Sequence, residues 1–494
     1  MSLFGPSRKE PFGTNADVMH QAVDATLADA DYQRTPVPEK AQLGFKNFVG
    51  MYAGEHTAGT ELMIGPLFVA AGVSAFDMLL GLLVGNLLAV LSWVLFTAPI
   101  ATRERLTLYY QLERICGRKL VVVYNCVNGV MFCLLAASMI TVAATAVGVA
   151  TNISMPQLDD VYPNSLGWVL AVVCIGALIS AVAAYGYETV SHFANIAAPW
   201  LVAVFLALGI IALRQFITAT GTEIGSFSDL WALANNDIWK GGEPLAGKTK
   251  FTFWHVMFFA WFCNIAMHLG MSDLTVLRFA RKSWYGFATA SGMYLGHFVA
   301  WIAASLLYSL QLYEDPSNTE VLPGPMTYKV LGVAGVICVV LAGWTTANPT
   351  IYRAGLAFQS IVPRASRFSV TLFAGALATV AGMFPAIAMR FLEFIALYGL
   401  LLMPVGAVIF VDFWLSDRLG FRSNYAERTG RSFNPAVAIA WILTLLLCFA
   451  SVIWGGVQIY FISLPGWLIA AVLYAVMSRI LYQSDKAAHA AANA

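Results

Sequence analysis

The sequence predicts an all-α integral membrane protein of about twelve spanning helices, because runs of roughly 20 mostly apolar residues, enough to cross a bilayer, recur along the whole chain. Two features of composition support this. Apolar residues fill 59% of the 494 positions, and charged residues only 11%, against roughly a quarter in a soluble protein. An ordinary soluble enzyme is excluded. A net charge of +1 offers no basic surface for nucleic acid.

Residues 1–43 are polar, include "RTPVPEK", and lack a leading apolar stretch. They read as a mostly flexible cytoplasmic tail without a cleaved signal peptide. Spans are expected at 44–72, 75–101, 120–150, 165–187, 189–216, 251–277, 284–311, 328–358, 367–385, 387–415, 434–456 and 459–482. Basic residues fix their orientation. Arg103, Arg105, Arg114, Arg118 and Lys119 follow span 2, and Arg278, Arg281 and Lys282 follow span 6. Arg364 and Arg367 follow span 8, and Arg418, Arg422, Arg428 and Arg431 follow span 10. The alternate connections, 151–164 with Asp159 and Asp160 and 312–327 with Glu314, Asp315 and Glu320, have no basic residue. Both termini are therefore expected inside a plasma or inner cell membrane. The expected units are a first five-span repeat (44–216), an extracellular or periplasmic connection (217–250), a second five-span repeat (251–415), two further spans with the loop before them (416–482), and a cytoplasmic tail (483–494). The cysteines lie in or beside apolar runs without paired spacing and read as small core residues.

Spans 1 and 6 carry polar interruptions. "YAGEHTAGTEL" and "NIAMHLGMSDL" both place His, four residues, an acid and Leu in series: His56–Glu61–Leu62 and His268–Asp273–Leu274. They sit five spans apart. Interrupted spans at matching positions point to a transporter site built from inverted repeats. Unwinding frees backbone groups, which a membrane tolerates only where they line a cavity or bind something, and glycine makes it cheap. "AGEHTAG" is the expected unwound segment of span 1.

Several stretches, in order, resemble the nucleobase–cation symporter family, the purine–cytosine permease and sodium–hydantoin transporter group. They are "LERICGRK" before span 3, "YGYETVSHFANIAAPWL" at the span 4–5 junction, "SDLTVLRFARK" ending span 6, "GWTTANPTIYRAGLAF" in span 8, and "LLMPVGAVIFVDFWL" followed by "RSFNPAVAIAWIL" in spans 10 and 11. The acid and arginine of "SDLTVLRFARK" stand two residues further apart than in the family pattern. The resemblance covers about residues 44 to 480. It implies the leucine-transporter-like fold, a 5+5 inverted repeat with two added C-terminal helices. It also implies uptake of a small nitrogenous solute coupled to Na⁺ or H⁺.

The resemblance further implies a sodium site built from the carbonyls of Glu55, Ala58 and Ala342 and the hydroxyls of Thr345 and Thr346. The bland alternative for both threonines is a bond back to their own helix. The substrate site it implies is walled by Glu55, His56, Thr57, Phe132, Trp261, Phe262, Asn264, His268 and Asn348, with Trp344 a further aromatic. Span 3 departs from the family: Phe132 and Leu135 stand where a Gln and a Trp usually bracket a ring. That argues against a nucleobase held in the usual way and leaves open an amine- or guanidine-like cation as substrate. An ionisable residue inside a span is a functional hypothesis by default. Glu55 has three readings: an anchor for donor groups of the substrate, a proton carrier, or a structural partner of His56 or a base such as Lys46. His268 has an equal reading as a buried histidine satisfied by one carbonyl. Glu61 is expected at a gate or vestibule, and Asp273 with Arg278 as a structural or gating ion pair.

Other classes fit less well. No repeated pore loop suggests a channel, no nucleophile–base pair, metal-spaced cluster or phosphate loop suggests an enzyme, and only short tails exist for a sensor. The expected partners are a small solute and the lipid bilayer, with no nucleic acid and no obligate protein. Na⁺ or H⁺ is the only expected cofactor.

Overall fold

The computed structural model describes residues 32–157 and 160–492. Most of the expected N-terminal tail, and Asp159, lie outside the described residues. Helices follow one another in the expected order. They are α1a (Phe45–His56) and α1b (Glu61–Ala70), α2 (Ala75–Glu104), α3 (Arg118–Thr151), α4 (Leu166–Ala184), α5 (Tyr187–Thr220), α6a (Phe253–Phe262) and α6b (Leu274–Leu277), α7 (Ser283–Glu314), α8 (Val333–Ile361), α9 (Arg367–Gly382), α10 (Phe391–Trp414), α11 (Pro435–Ile453) and α12 (Ile459–Ala492). Among the described residues, nine of these helices are long and apolar enough to cross a membrane. The expected spans outside that set are the two broken ones and the shorter α9.

Local chemistry sets the ends. Ser74 and Ser165 cap α2 and α4 through their hydroxyls, and Asn434 caps α11 just before Pro435. α2 contains a π turn at Trp93–Thr97, a local widening that often marks a functional position. Here it turns Trp93 and Thr97 toward α6.

Both tails differ from expectation. Residues 32–43 are docked: Val37 N–H bonds Arg105 O at 3.1 Å, and Leu43 N–H bonds Phe279 O at 2.7 Å. At the other end α12 runs on to Ala492 instead of stopping near 482. Lys and Ala are good helix formers, so "DKAAHAAA" continues the helix already begun.

The two breaks differ in size. In α1 the break spans only residues 57–60. Thr57 N–H still bonds Ala53 O, and the ladder restarts with Glu61 N–H to Ala58 O at 3.1 Å. Glu55 and His56 therefore end α1a rather than lie in unwound chain. In α6 the break covers residues 263–273. Met271 there adopts a left-handed φ of 64°, an uncommon and costly conformation for a side chain of that size.

α8 packs along α3, α1a along α5, and α1b along α7. Gly59, inside the first break, sits so close to α3 and α8 that a Cβ would meet Val142 Cγ1 at 3.0 Å and Val339 O at 3.3 Å. Gly406 of α10 lies tighter still against the second break, where a Cβ would fall 1.9 Å from Leu269 O.

Candidate functional site

Four of the five expected sodium ligands gather where α8 passes the first break. Thr346 Oγ1 lies 3.0 Å from Glu55 O and 3.0 Å from Ala342 O, and Thr345 Oγ1 lies 3.2 Å from Ala342 O. A hydroxyl carries one proton, so Thr346 can donate to only one of its two carbonyls at a time. Both threonines do reach back along their own helix, as the bland reading supposed, but Thr346 also spans to α1a. All these residues are buried. The result is a buried point lined by four oxygens, two hydroxyls and two carbonyls, which suits a hard cation. The fifth ligand, Ala58 O, accepts from Glu61 N–H at 3.1 Å.

Next to this point is a buried ionic triad absent from the sequence reading. Arg353 of α8 forms a two-pronged ion pair with Glu55, whose second contact, Nη2 to Oε2, is 3.3 Å. It also holds Asp273 Oδ1 at 2.8 Å. Asp273 Oδ2 accepts from Tyr52 OH at 3.0 Å and from Trp93 Nε1 at 2.7 Å. Two carboxylates thus share one guanidinium. Its backbone is fixed as well: Arg353 O accepts from Tyr109 OH at 3.0 Å, Tyr109 accepts from Asn128 at 3.2 Å, and Asn128 accepts from Tyr398 OH of α10 at 3.1 Å.

Glu55 is therefore held by a base, but the base is Arg353, not His56 or Lys46. The expected Asp273–Arg278 pair is replaced: Asp273 turns to Arg353, while Arg278 donates to Thr275 O at 3.0 Å and Tyr32 O at 2.5 Å and lies over the Phe279 ring. Arg278 is thus used to dock the chain before α1a.

A second polar cluster surrounds Glu61. This residue is buried against α7. It accepts from Trp301 Nε1, and its Oε1 stands 3.6 Å from His297 Nε2. His297 stacks on Trp301 at 4.4 Å, meets the His56 ring at 4.7 Å, and lies 3.5 Å from Asn264 Nδ2. His56 Nδ1 is 2.9 Å from Tyr52 O.

Most of the remaining expected wall residues are engaged elsewhere. Thr57 Oγ1 bonds back to Ala53 O at 2.7 Å. The Phe132 ring is fully buried, 5.1 Å from that of Tyr398. Trp261 Nε1 donates to Ser92 Oγ of α2 at 3.0 Å. Phe262 packs with Leu400, Met403, Cys448 and Trp467 of α10–α12. His268 takes its bland role, Nε2 against Trp261 O at 2.9 Å, with its ring 4.8 Å from Trp93. Asn348 is fully buried, and neither atom of its amide has a hydrogen-bond partner. Trp344 and Tyr352, one turn to either side, pack on Phe193 and Tyr187 of α5.

No family model matches the sequence, and no curated protein shows significant similarity to it. Solved structures do match in fold. Mhp1, a nucleobase-cation-symport-1 family transporter, in a closed conformation with bromovinylhydantoin bound, aligns at TM-score 0.66 and 14% identity over 92% of this chain and 96% of that one. The chain has the leucine-transporter-like fold. An inward-facing conformation of Mhp1 aligns at 0.63 and 14% identity, over 91% and 95%. A substrate-bound, outward-open Na⁺-coupled sialic acid symporter aligns at 0.62 and 14% identity, over 95% and 98%. In this fold α1–α5 and α6–α10 form the inverted repeats, and α11 and α12 are additions, which gives the two broken helices their equivalent places.

Proposed function

We propose that the protein is a secondary active transporter, a Na⁺-coupled symporter that imports a small nitrogen-containing solute by alternating access. The observation that carries this is the oxygen-only point at Glu55 O, Ala342 O, Thr345 and Thr346. Na⁺ bound there would accept lone pairs from both carbonyls and both hydroxyls at once. The neighbouring triad supports the same reading, since Glu55, Asp273 and Arg353 together carry one more negative than positive charge, and a monovalent cation balances it. Matching folds belong to symporters whose names include nucleobase–cation and sodium coupling. The chain is read as residing in the plasma or inner cell membrane with both termini cytoplasmic, following its basic connections. The solute is a nucleobase-related heterocycle or an amine- or guanidine-like cation.

The test is uptake into vesicles holding purified protein under imposed gradients. An inward Na⁺ gradient should drive accumulation above equilibrium. Thr345→Ala with Thr346→Ala should abolish the Na⁺ dependence while the protein still folds. Accumulation that follows a proton gradient and ignores Na⁺ would sink the sodium assignment, and flux that only dissipates gradients would sink the symporter.

A further inference from the structure

The two buried carboxylates of α1 differ in what neutralises them. Glu55 faces Arg353, a permanent cation. Glu61 faces no permanent cation: its titratable neighbours among the described residues are His297, at 3.6 Å and outside hydrogen-bond reach, and the Cys263 thiol. Its fixed donor is the neutral indole of Trp301. A buried carboxylate without a permanent partner is costly unless something brings positive charge to it.

The surroundings narrow what that something is. Glu61 begins α1b at the end of the first break, and Asn264 lies in the second, so the cluster stands where both helices are open. Thr60 Oγ1, the residue before Glu61, is buried without a hydrogen-bond partner. Trp301 and His297 present stacked ring faces beside the carboxylate, and Trp93 meets His56 edge-on at 6.3 Å. Among the side chains of the cluster, Glu61, Thr60 and the Asn264 amide offer hard oxygens, while His297 and Cys263 offer nitrogen and sulfur, a mixed set less suited to Na⁺ than the oxygen-only point at Thr346. Carboxylate, amide and aromatic faces together suit an organic ammonium, amidinium or guanidinium group.

We propose that Glu61, with Asn264, His297 and Trp301, binds a positively charged nitrogen group of the transported solute. This rests on the transporter reading and narrows the solute to an organic cation. It also moves the anchoring role from Glu55 to Glu61.

The experiment measures thermal stability of the purified full-length protein in Na⁺ with methylammonium, methylguanidinium, uracil or hydantoin. A ligand of the native state raises the melting temperature by mass action. The organic cations should stabilise the parent and the neutral rings should not. Glu61→Gln should weaken cation binding at least about tenfold, as loss of a charge-assisted contact does, while the shift produced by Na⁺ alone is kept. Glu61→Asp, which retains the charge, should keep part of the cation response and guards against a folding defect in the first variant. Equal cation response in Glu61→Gln and parent would overturn the proposal and leave Glu61 a protonated structural group. So would stabilisation by the neutral rings alone. Either result could occur with Na⁺-driven uptake intact, so the proposal can fail while the symporter stands.

Discussion

The breaks in α1 and α6 carry the same sequence signature and meet different fates. In α6 the freed carbonyls are capped by side chains fixed in neighbouring helices. Thr97 of α2 donates to His268 O at 2.5 Å, Trp467 of α12 donates to Leu269 O at 3.1 Å, and His268 lies on Trp261 O. Gly406 of α10 then closes the side. In α1 the Glu55 carbonyl meets Thr346, which already has another acceptor. At His268 and Leu269 the second break is sealed, whereas the first is short of positive charge. Interruption of a helix marks where polar backbone is released; what packs against it decides whether the release serves structure or binding.

The largest effect should come from the residue that touches both breaks. Arg353→Gln leaves Glu55 and Asp273 buried without a cation, which should cost roughly 3–5 kcal/mol. A sharp fall in the melting temperature of purified protein reads it. Adding Glu55→Gln and Asp273→Asn should restore much of the loss, and no recovery would deny the triad. At the sealed break, Gly406→Ala forces a Cβ onto Leu269 O, with an expected cost of about 1–3 kcal/mol. Were its melting temperature unchanged, α10 would not close this break.

A matched pair sharpens the contrast. Thr97→Val removes the donor to His268 O and should cost about 1–3 kcal/mol, the penalty for a buried unsatisfied acceptor, while the stabilisation by added Na⁺ persists. Thr346→Val likewise strips a donor from a buried carbonyl, Glu55 O, and should cost a similar amount of stability, but unlike Thr97→Val it should abolish the Na⁺ response. Identical behaviour of the two would erase the distinction. Smallest is Gly59→Ala, whose Cβ finds Val142 at 3.0 Å; a shift under about 1 kcal/mol is expected, again read as melting temperature.

The spans and both interruptions were legible because bilayer thickness and backbone hydrogen bonding leave marks that need no knowledge of neighbours. The threonine hydroxyls were legible through the family resemblance of "GWTTANPTIYRAGLAF". Arg353 lies in that same stretch, and the rule that singled out Glu55, a charge inside an apolar run, applied to it equally. Its partners were not legible, because Glu55 and Asp273 lie far off in sequence and meet it only after α1, α6 and α8 pack. Trp93 and His297 were hidden for another reason: an aromatic or histidine in a span usually packs, and only the π turns of α2 and α7 bring these two inward. Trp261 and Phe262 were assigned by position along a helix, whereas the face was set by contacts with α2 and α10–α12.

Arg353 also has a mechanical meaning. Its side chain reaches from the long, unbroken α8 to the end of α1a and to the threshold of α6b. The two half-helices are thereby pinned to a single post. Neither can swing away from α8 without stripping a carboxylate from the guanidinium, and once one has left, the other holds the whole charge of the arginine. A door hung this way has one latch with two tongues, and its resistance to opening is set at a single side chain.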